Sequence, residues 1–144
     1  MKMDGMLFRG KSAMDPDLNV FEYDEDDDVF GWIYGYYVDG FIVGDVIEST
    51  DEYINLEKWI PVHKGSVGMA SGKTDCTGNW IFDGDFIVYA DGLKQRPFQV
   101  KFEDGAFYAV DGPVKILLHH INSGSYEIID NIWDKNERME EDAD

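Results

Sequence analysis

Hydrophobic and polar positions alternate along most of this chain, in short runs that are rich in aromatic and β-branched residues. This period of two favours strands over helices. Residues 30–38 (FGWIYGYYV) and 41–48 (FIVGDVIE) flank the pair Asp39-Gly40. Because an Asp-Gly pair accepts positive φ at both turn positions, this stretch predicts a β-hairpin.

The rest of the chain predicts further short strands. Residues 52–60 fit either a helical stripe or a strand; we favour a strand or irregular segment that Pro61 ends. The Gly-, Ser- and Thr-rich residues 62–79 predict a long loop. Strands punctuated by Asp-Gly turns follow, at residues 80–90, 97–103, 106–110, 114–119 and 126–133. This spacing is typical of a small antiparallel barrel or sandwich.

These elements predict a mainly β fold, either all-β or α+β. Residues 1–64 would form an N-terminal antiparallel β lobe, and residues 65–136 a C-terminal SH3-like small barrel. A short helix or an acidic tail would follow, with the tail at residues 137–144. The length of 144 residues fits one domain with two lobes, and 44% hydrophobic content is enough to build a core.

Charge changes the picture, because 30 acidic residues against 12 basic ones give a net charge of −18. Residues 22–28 (EYDEDDD) carry −6 and residues 137–144 (ERMEEDAD) carry −4, which leaves −8 for the remainder. Such a field repels phosphate backbones, so we expect no direct nucleic-acid binding and favour a basic protein partner. The first run supplies candidate partner contacts: Asp24, Glu25, Asp26, Asp27 and Asp28.

Cysteine content and hydropathy indicate the compartment. The single Cys76 excludes an intramolecular disulfide, and the N-terminal residues contain no continuous apolar segment for secretion. No run of 18 apolar residues is present. We expect a cytoplasmic protein that does not bind a membrane.

Two stretches resemble ligand loops. Residues 68–74 (GMASGKT) end like a phosphate loop, but three residues instead of four separate the glycines and no helix follows, so a plain loop is favoured. Residues 75–79 (DCTGN) resemble the opening of a calcium loop, yet Trp80 and Phe86 stand where an EF-hand requires Gly and Glu. A weaker Asp/Asn site stays open beside a hydrogen-bonded turn.

Other catalytic and metal motifs are missing from the sequence. Cys76 and the histidines do not approach zinc-ligand spacing, and on a strand one of His119 and His120 would be buried and the other exposed. There is no Gly-x-Ser-x-Gly elbow, and Cys76 has no basic neighbour that would activate it. We predict no cofactor, no metal and no catalytic residue; an enzyme without a sequence motif is the alternative.

The aromatic residues Trp32, Tyr34 and Tyr36 would share one face of a strand, with Ile33 and Tyr37 on the other. Since both faces are then apolar, a strand buried on both sides is favoured, and a partner surface is the alternative.

Residues 67–85 (VGMASGKTDCTGNWIFDGD) resemble the central signature of the YopX family of phage and prophage proteins. That signature runs roughly V-G-Q-[YF]-T-G-L-x-D-x-N-G-x-x-I-[FY]-E-G-D. Met69 and Ala70 replace its Gln and its aromatic residue, so no role of that Gln is carried over. The resemblance continues in residues 8–9, 31–36, 100–107 and 126–138 and so covers nearly the whole chain. The motif positions are Gly68, Gly72, Asp75, Gly78, Asn79, Gly84 and Asp85.

The resemblance implies a mainly β fold, a phage or prophage origin in a bacterial host, and no established enzymatic activity. It also makes a small homo-oligomer plausible. From the residues themselves we expect the motif to be a turn that enters a strand, with weak binding as its alternative role. Our functional hypothesis is a non-catalytic accessory protein that binds a host or phage protein. The alternative is an acidic DNA mimic that inhibits a host nucleic-acid-binding protein.

Overall fold

A computed structural model describes residues 7–14, 30–49, 54–90 and 96–142. The prediction of a mainly β fold is confirmed. The elements are β1 (Phe8–Lys11), β2 (Trp32–Val38), β3 (Phe41–Ser49), β4 (Ile54–Pro61), β5 (Gly68–Thr74), β6 (Trp80–Phe82), β7 (Asp85–Tyr89), β8 (Phe98–Glu103), β9 (Ala106–Asp111), β10 (Val114–Leu117), β11 (Tyr126–Asn131) and α1 (Ile132–Asp142). They form two antiparallel sheets, with strand orders β4-β3-β2-β1-β5-β6 and β10-β9-β8-β7-β11.

The chain divides into two compact units, Met1–Met69 and Ala70–Asp144. In the first unit one face of the sheet is apolar and buried. In β2, buried and more exposed residues alternate, as period-two sequences require when one face is covered. The core of this unit consists of Ile33, Ile42, Ile60 and Val62.

The hairpin that joins β2 to β3 turns at Asp39 and Gly40, as the sequence predicted. Both have positive φ, 44° and 90°, which matches the right-handed twist of the paired strands. Val38 pairs with Phe41 directly across the turn. Asp104 and Gly105 make the same kind of turn between β8 and β9, whereas the predicted turn at residues 91–92 lies outside the described residues.

The ambiguous segment at residues 52–60 is a strand where the structure describes it, since β4 runs over Ile54–Pro61. β4 is at the edge of its sheet. Pro61 has no backbone N–H to donate, which an edge strand tolerates.

The core of the second unit consists of Ile81, Ile87, Val100, Ala109, Leu118 and Tyr126. Its five-stranded sheet is open, with β10 and β11 at opposite edges. The predicted closed, SH3-like barrel is therefore not confirmed.

The predicted loop at residues 62–79 is wrong in its middle, because Gly68–Thr74 forms β5. The segment has little strand propensity, but β1 pairs with its first residues and β6 with its later ones. Sheet context thus overrides local composition.

The C-terminal boundaries also differ from the prediction. β10 ends at Leu117 and a 3₁₀ turn follows over Leu118–His120. β11 ends at Asn131, where the Oδ1 atom of Asn131 accepts a hydrogen bond from the Asp134 amide at 2.9 Å. Such a cap starts a helix, so α1 begins at Ile132 and includes most of the predicted acidic tail. No helix in the described ranges is long and apolar enough to cross a membrane.

We predict that Gly35→Ala destabilises the first unit. A Cβ atom at position 35 would lie 2.3 Å from the backbone oxygen of Val43 on the paired strand, and backbone cannot move aside without breaking the ladder. The free energy of unfolding should fall by about 2 kcal/mol or more, measured by urea denaturation.

Gly44→Ala in the neighbouring strand is the matched control, because a Cβ there meets no atom within 4 Å. Equal stability of the two variants would contradict the close backbone approach at Gly35.

Candidate functional site

The side chain of Asp75 organises the turn at the centre of the family-like motif. Its Oδ1 atom accepts hydrogen bonds from the Thr77 amide at 2.9 Å, the Thr77 hydroxyl at 2.7 Å and the Asn79 amide at 3.0 Å. Its Oδ2 atom accepts one from the Ile128 amide at 3.1 Å, in β11. One buried carboxylate thus closes the turn and ties it to a strand distant in sequence.

These contacts determine the charge state of Asp75. Burial alone would raise the pKa of its carboxyl group, but the hydrogen bonds from Thr77, Ile128 and Asn79 lower it further than burial raises it, so the pKa of Asp75 lies below its usual value. Asp75 is therefore an anion at neutral pH, and its four hydrogen bonds occupy both oxygens.

The second motif carboxylate, Asp85, closes the next turn. Its side chain is 1% exposed, and its Oδ2 atom accepts a hydrogen bond from the Phe82 amide at 2.8 Å. Gly84 lies in this turn, between Phe82 and Asp85, with φ of 95°. The backbone of Gly84 also donates to Val100 and accepts from Ile132, both at 2.8 Å. Hydrogen bonds to β8 and to the start of α1 thus hold the turn that the sequence predicted.

The motif residues fall into distinct structural roles. Gly68 opens β5 and pairs with Arg9 in the first unit, whereas the remaining six belong to the second unit. Gly78, with φ of 91°, donates its amide to the Asp75 carbonyl at 3.1 Å, and Asn79 donates its side-chain amide to the Thr77 hydroxyl at 3.0 Å. Among the residues that the structure describes, no three His, Cys, Asp or Glu side chains are grouped to hold a metal ion.

Gly72 lies in a bulge of β5, which sequence reasoning did not predict. The pairing with β6 shifts register between Ala70 and Thr74, and Gly72 adopts a φ of 85°. A bulge re-aims the side chains beside it. Here Lys73 donates from its Nζ atom to the carbonyl oxygens of His119 at 3.1 Å and Ile121 at 3.0 Å.

A cleft of about 440 Å³ opens beside this bulge, within the second unit. Its walls combine the polar bulge with apolar side chains from β9 and the end of β10. The lining residues are Ser71, Gly72, Lys73, Ala106, Phe107, Leu117, Leu118 and His119.

The prediction that one of His119 and His120 is buried is wrong. Both are exposed, with ring centroids 5.9 Å apart. The reason is that they lie in the 3₁₀ turn after β10, where neighbouring side chains do not alternate between two faces of a sheet.

In the first unit, the face of the sheet opposite the core is aromatic. We call it the aromatic face and define it by residues that are 37–47% exposed: Tyr34, Tyr36, Val38, Phe41 and Trp59. The strand registers place them together, since Tyr36 pairs with Val43 and Val43 with Trp59. The favoured prediction of a strand buried on both sides is therefore wrong for β2.

Two cations lie at the β1 side of this face. The Arg9 guanidinium lies 4.7 Å from the ring centroid of Trp32, and the Lys11 ammonium 5.5 Å from it. Trp32 itself is only partly exposed. This geometry is that of cation–π contacts, in which a positive group is attracted to the negative face of an indole ring.

Sequence reasoning found Tyr34 and Tyr36 but missed Phe41 and Trp59. The hairpin turn could have located Phe41, because it fixes the pairing of Phe41 with Val38. The position of Trp59 depends on the register between β3 and β4. That register shifts between Val46 and Glu48 of β3, and no turn motif in the sequence predicts the shift. The candidate acidic contacts Asp24, Glu25, Asp26, Asp27 and Asp28 lie outside the described residues.

Comparison with known proteins adds no relative: no protein-family model matches the chain, and no curated protein matches it.

We predict that Asp75→Asn lowers stability in a pH-dependent way. The Asn amide nitrogen cannot accept a hydrogen bond, so one buried donor loses its acceptor, and the free energy of unfolding should fall by about 1–3 kcal/mol near neutral pH. Since the folded pKa of Asp75 is lowered, its stabilising effect is fully present above the unfolded value and is lost as pH falls through the folded value. The difference from wild type should therefore shrink below about pH 4.

Urea denaturation across this pH range measures that difference. Asp39→Asn is the matched control, because Asp39 is exposed and Asn also tolerates its positive φ. A difference between wild type and Asp75→Asn that stayed constant with pH would show that the ionised carboxylate is not the stabilising group.

Proposed function

We propose that this chain is a non-catalytic, cytoplasmic binding protein of phage or prophage origin, and that its aromatic face recognises a basic, extended segment of a partner protein. The observation that carries the proposal is the cluster of exposed Tyr, Phe and Trp side chains on one sheet face, opposite a well-packed core. Contiguous apolar patches of this kind mark interaction sites. The YopX-like motif supports the phage origin.

The size of the face favours a segment over a second copy of the chain. With about 200 Å² for a whole aromatic side chain, the four exposed aromatic residues present roughly 350 Å². A stable protein dimer buries about 800 Å² on each partner. The face therefore suits an extended peptide, which needs less area.

Charge favours a basic segment. The chain carries −18, and the run of −6 at residues 22–28 lies in the sequence just before β2, the strand that carries Tyr34 and Tyr36 of the aromatic face. Such a field attracts positive partners and speeds their encounter. Exposed Tyr and Trp rings add specific contacts, because guanidinium and ammonium groups stack on them.

The role of the motif fits a binding protein better than an enzyme. Asp75 and Asp85, its two carboxylates, accept hydrogen bonds from backbone amides that fix turns. In this proposal both carboxylates have a structural role.

We expect a fluorescein-labelled peptide of alternating Arg and Ser to bind the wild-type chain, with anisotropy as the readout. The double variant Tyr36→Ser/Trp59→Ser should weaken binding by roughly tenfold, which corresponds to the loss of two cation–π contacts. Ile129→Ser is the matched control: Ile129 is 53% exposed on a strand of the second unit, and its substitution should leave affinity unchanged. Thermal unfolding checks that all variants fold.

Several results would contradict the proposal. A peptide with citrulline in place of Arg should fail to bind, so equal binding would remove the requirement for charge. Replacing residues 22–28 by Ser and Gly could abolish binding while Tyr36→Ser/Trp59→Ser leaves it intact. Binding would then depend on the acidic run and not on the aromatic face, as the DNA-mimic alternative requires. If sedimentation showed a dimer that the double variant dissociates, the face would be a homo-oligomer interface instead.

A further inference from the structure

The cleft beside the β5 bulge is a second candidate site, independent of the aromatic face. Its volume of about 440 Å³ is in the range that holds small organic ligands. We propose that it binds a small organic anion with one charged head group and an aromatic or aliphatic body.

The polar end of the cleft provides the charge. Lys73 has three N–H donors; within the described residues two of them are used by the carbonyl oxygens of His119 and Ile121, which leaves one N–H and the full positive charge. The Ser71 hydroxyl oxygen accepts a hydrogen bond from the Lys73 amide at 3.2 Å, so its own proton is available to a ligand. The two carbonyl contacts fix the ammonium group in place before any ligand arrives.

The apolar end of the cleft provides a wall for a ring or short chain. Phe107 and Leu117 are half-buried, and Leu118 is 1% exposed. The Phe107 ring packs on Phe102 with centroids 4.8 Å apart. Burial of a ligand ring against these side chains would add the hydrophobic part of the affinity.

The lining also determines the sign and size of the ligand charge. Among the residues that the structure describes, no acidic side chain lines the cleft, although the chain as a whole is strongly acidic. A cation would meet Lys73 and be repelled. A triphosphate would place several negative charges against one ammonium group inside an acidic protein, so a head group of low charge, a carboxylate or a phosphate monoester, fits best.

The test uses ¹⁵N-labelled full-length protein and follows amide chemical shifts during titration. Benzoate and phenyl phosphate are the probes; benzyl alcohol removes the charge, and acetate and inorganic phosphate remove the ring. We expect saturable shifts at residues 71–73, 106–107 and 117–119 with both aryl anions, and at least about tenfold weaker binding for the probes that lack charge or ring. The tighter of the two aryl anions identifies the head group.

Two variants locate the site. Lys73→Met should raise the Kd of the aryl anions by roughly tenfold, whereas Lys101→Met, at a half-buried lysine of β8 that does not line the cleft, should not. Ala106→Leu should block the cleft while it leaves Lys73 and its carbonyl partners in place. Spectral dispersion confirms that each variant is folded.

The proposal is overturned by any of four results. Benzyl alcohol that binds as well as benzoate would show an apolar pocket without anion recognition. Inorganic phosphate that binds as well as phenyl phosphate would remove the role of Phe107 and Leu117. No saturation below about 20 mM, or binding that Lys73→Met leaves unchanged, would mean that the cleft is not a ligand site.

Discussion

The hydrogen bonds accepted by the Asp75 carboxylate are the constraint on which the second unit depends. They close a turn immediately after β5, and through the Ile128 amide they attach that turn to β11. The adjacent Cys76 amide donates to the Tyr126 carbonyl at 2.8 Å and secures the same connection. With the chain held at Asp75 and paired with β6 at Ala70, the residues between them form a bulge of fixed shape. The Asp75 carboxylate does not line the cleft. Because it holds the chain two residues after Lys73, it nevertheless determines where Lys73 lies in the cleft.

Most of the strands could be predicted because their signals are local. Runs rich in aromatic and β-branched residues predicted the strands of the β2–β3 hairpin, and Asp39 and Gly40 determined its turn, since few other pairs accept positive φ at both positions. The loop predicted at residues 62–79 was wrong because the stability of the strand in its middle is non-local. β5 is polar and rich in glycine, and it is a strand because β1 and β6 pair with it. α1 begins at Ile132 because of a cap formed by Asn131 and Asp134, a reciprocal pair that resembles a capping box and could have been read from the sequence.

The candidate sites were harder to predict from the sequence, for a related physical reason. Composition identifies an aromatic strand but not which face is covered, because that depends on how much apolar material the remaining chain can place on each side. In β2 the core uses Ile33 and Tyr37, and the opposite face stays exposed. The cleft combines residues from three strands and a 3₁₀ turn, so no contiguous motif encodes it. Residues 68–74 resemble a phosphate loop in sequence, and Ser71 and Lys73 do line a cleft, although they lie in a bulged strand instead of a loop before a helix.

An anion site in a protein of charge −18 is physically consistent, because net charge and local potential are different quantities. Two sequence runs carry −10 of the total, and exposed charges are screened beyond about 8 Å at physiological salt. The potential inside the cleft is therefore dominated by the groups that line it. In the part of the chain that the structure describes, these groups include the charged Lys73 and no acidic residue. The aromatic face differs from the cleft because it is open and broad. In our proposal, long-range attraction from the acidic chain would set the rate at which a basic segment associates with this face, and contacts with the rings would set its rate of dissociation. Salt should thus slow association at the face far more than it weakens contacts already made inside the cleft.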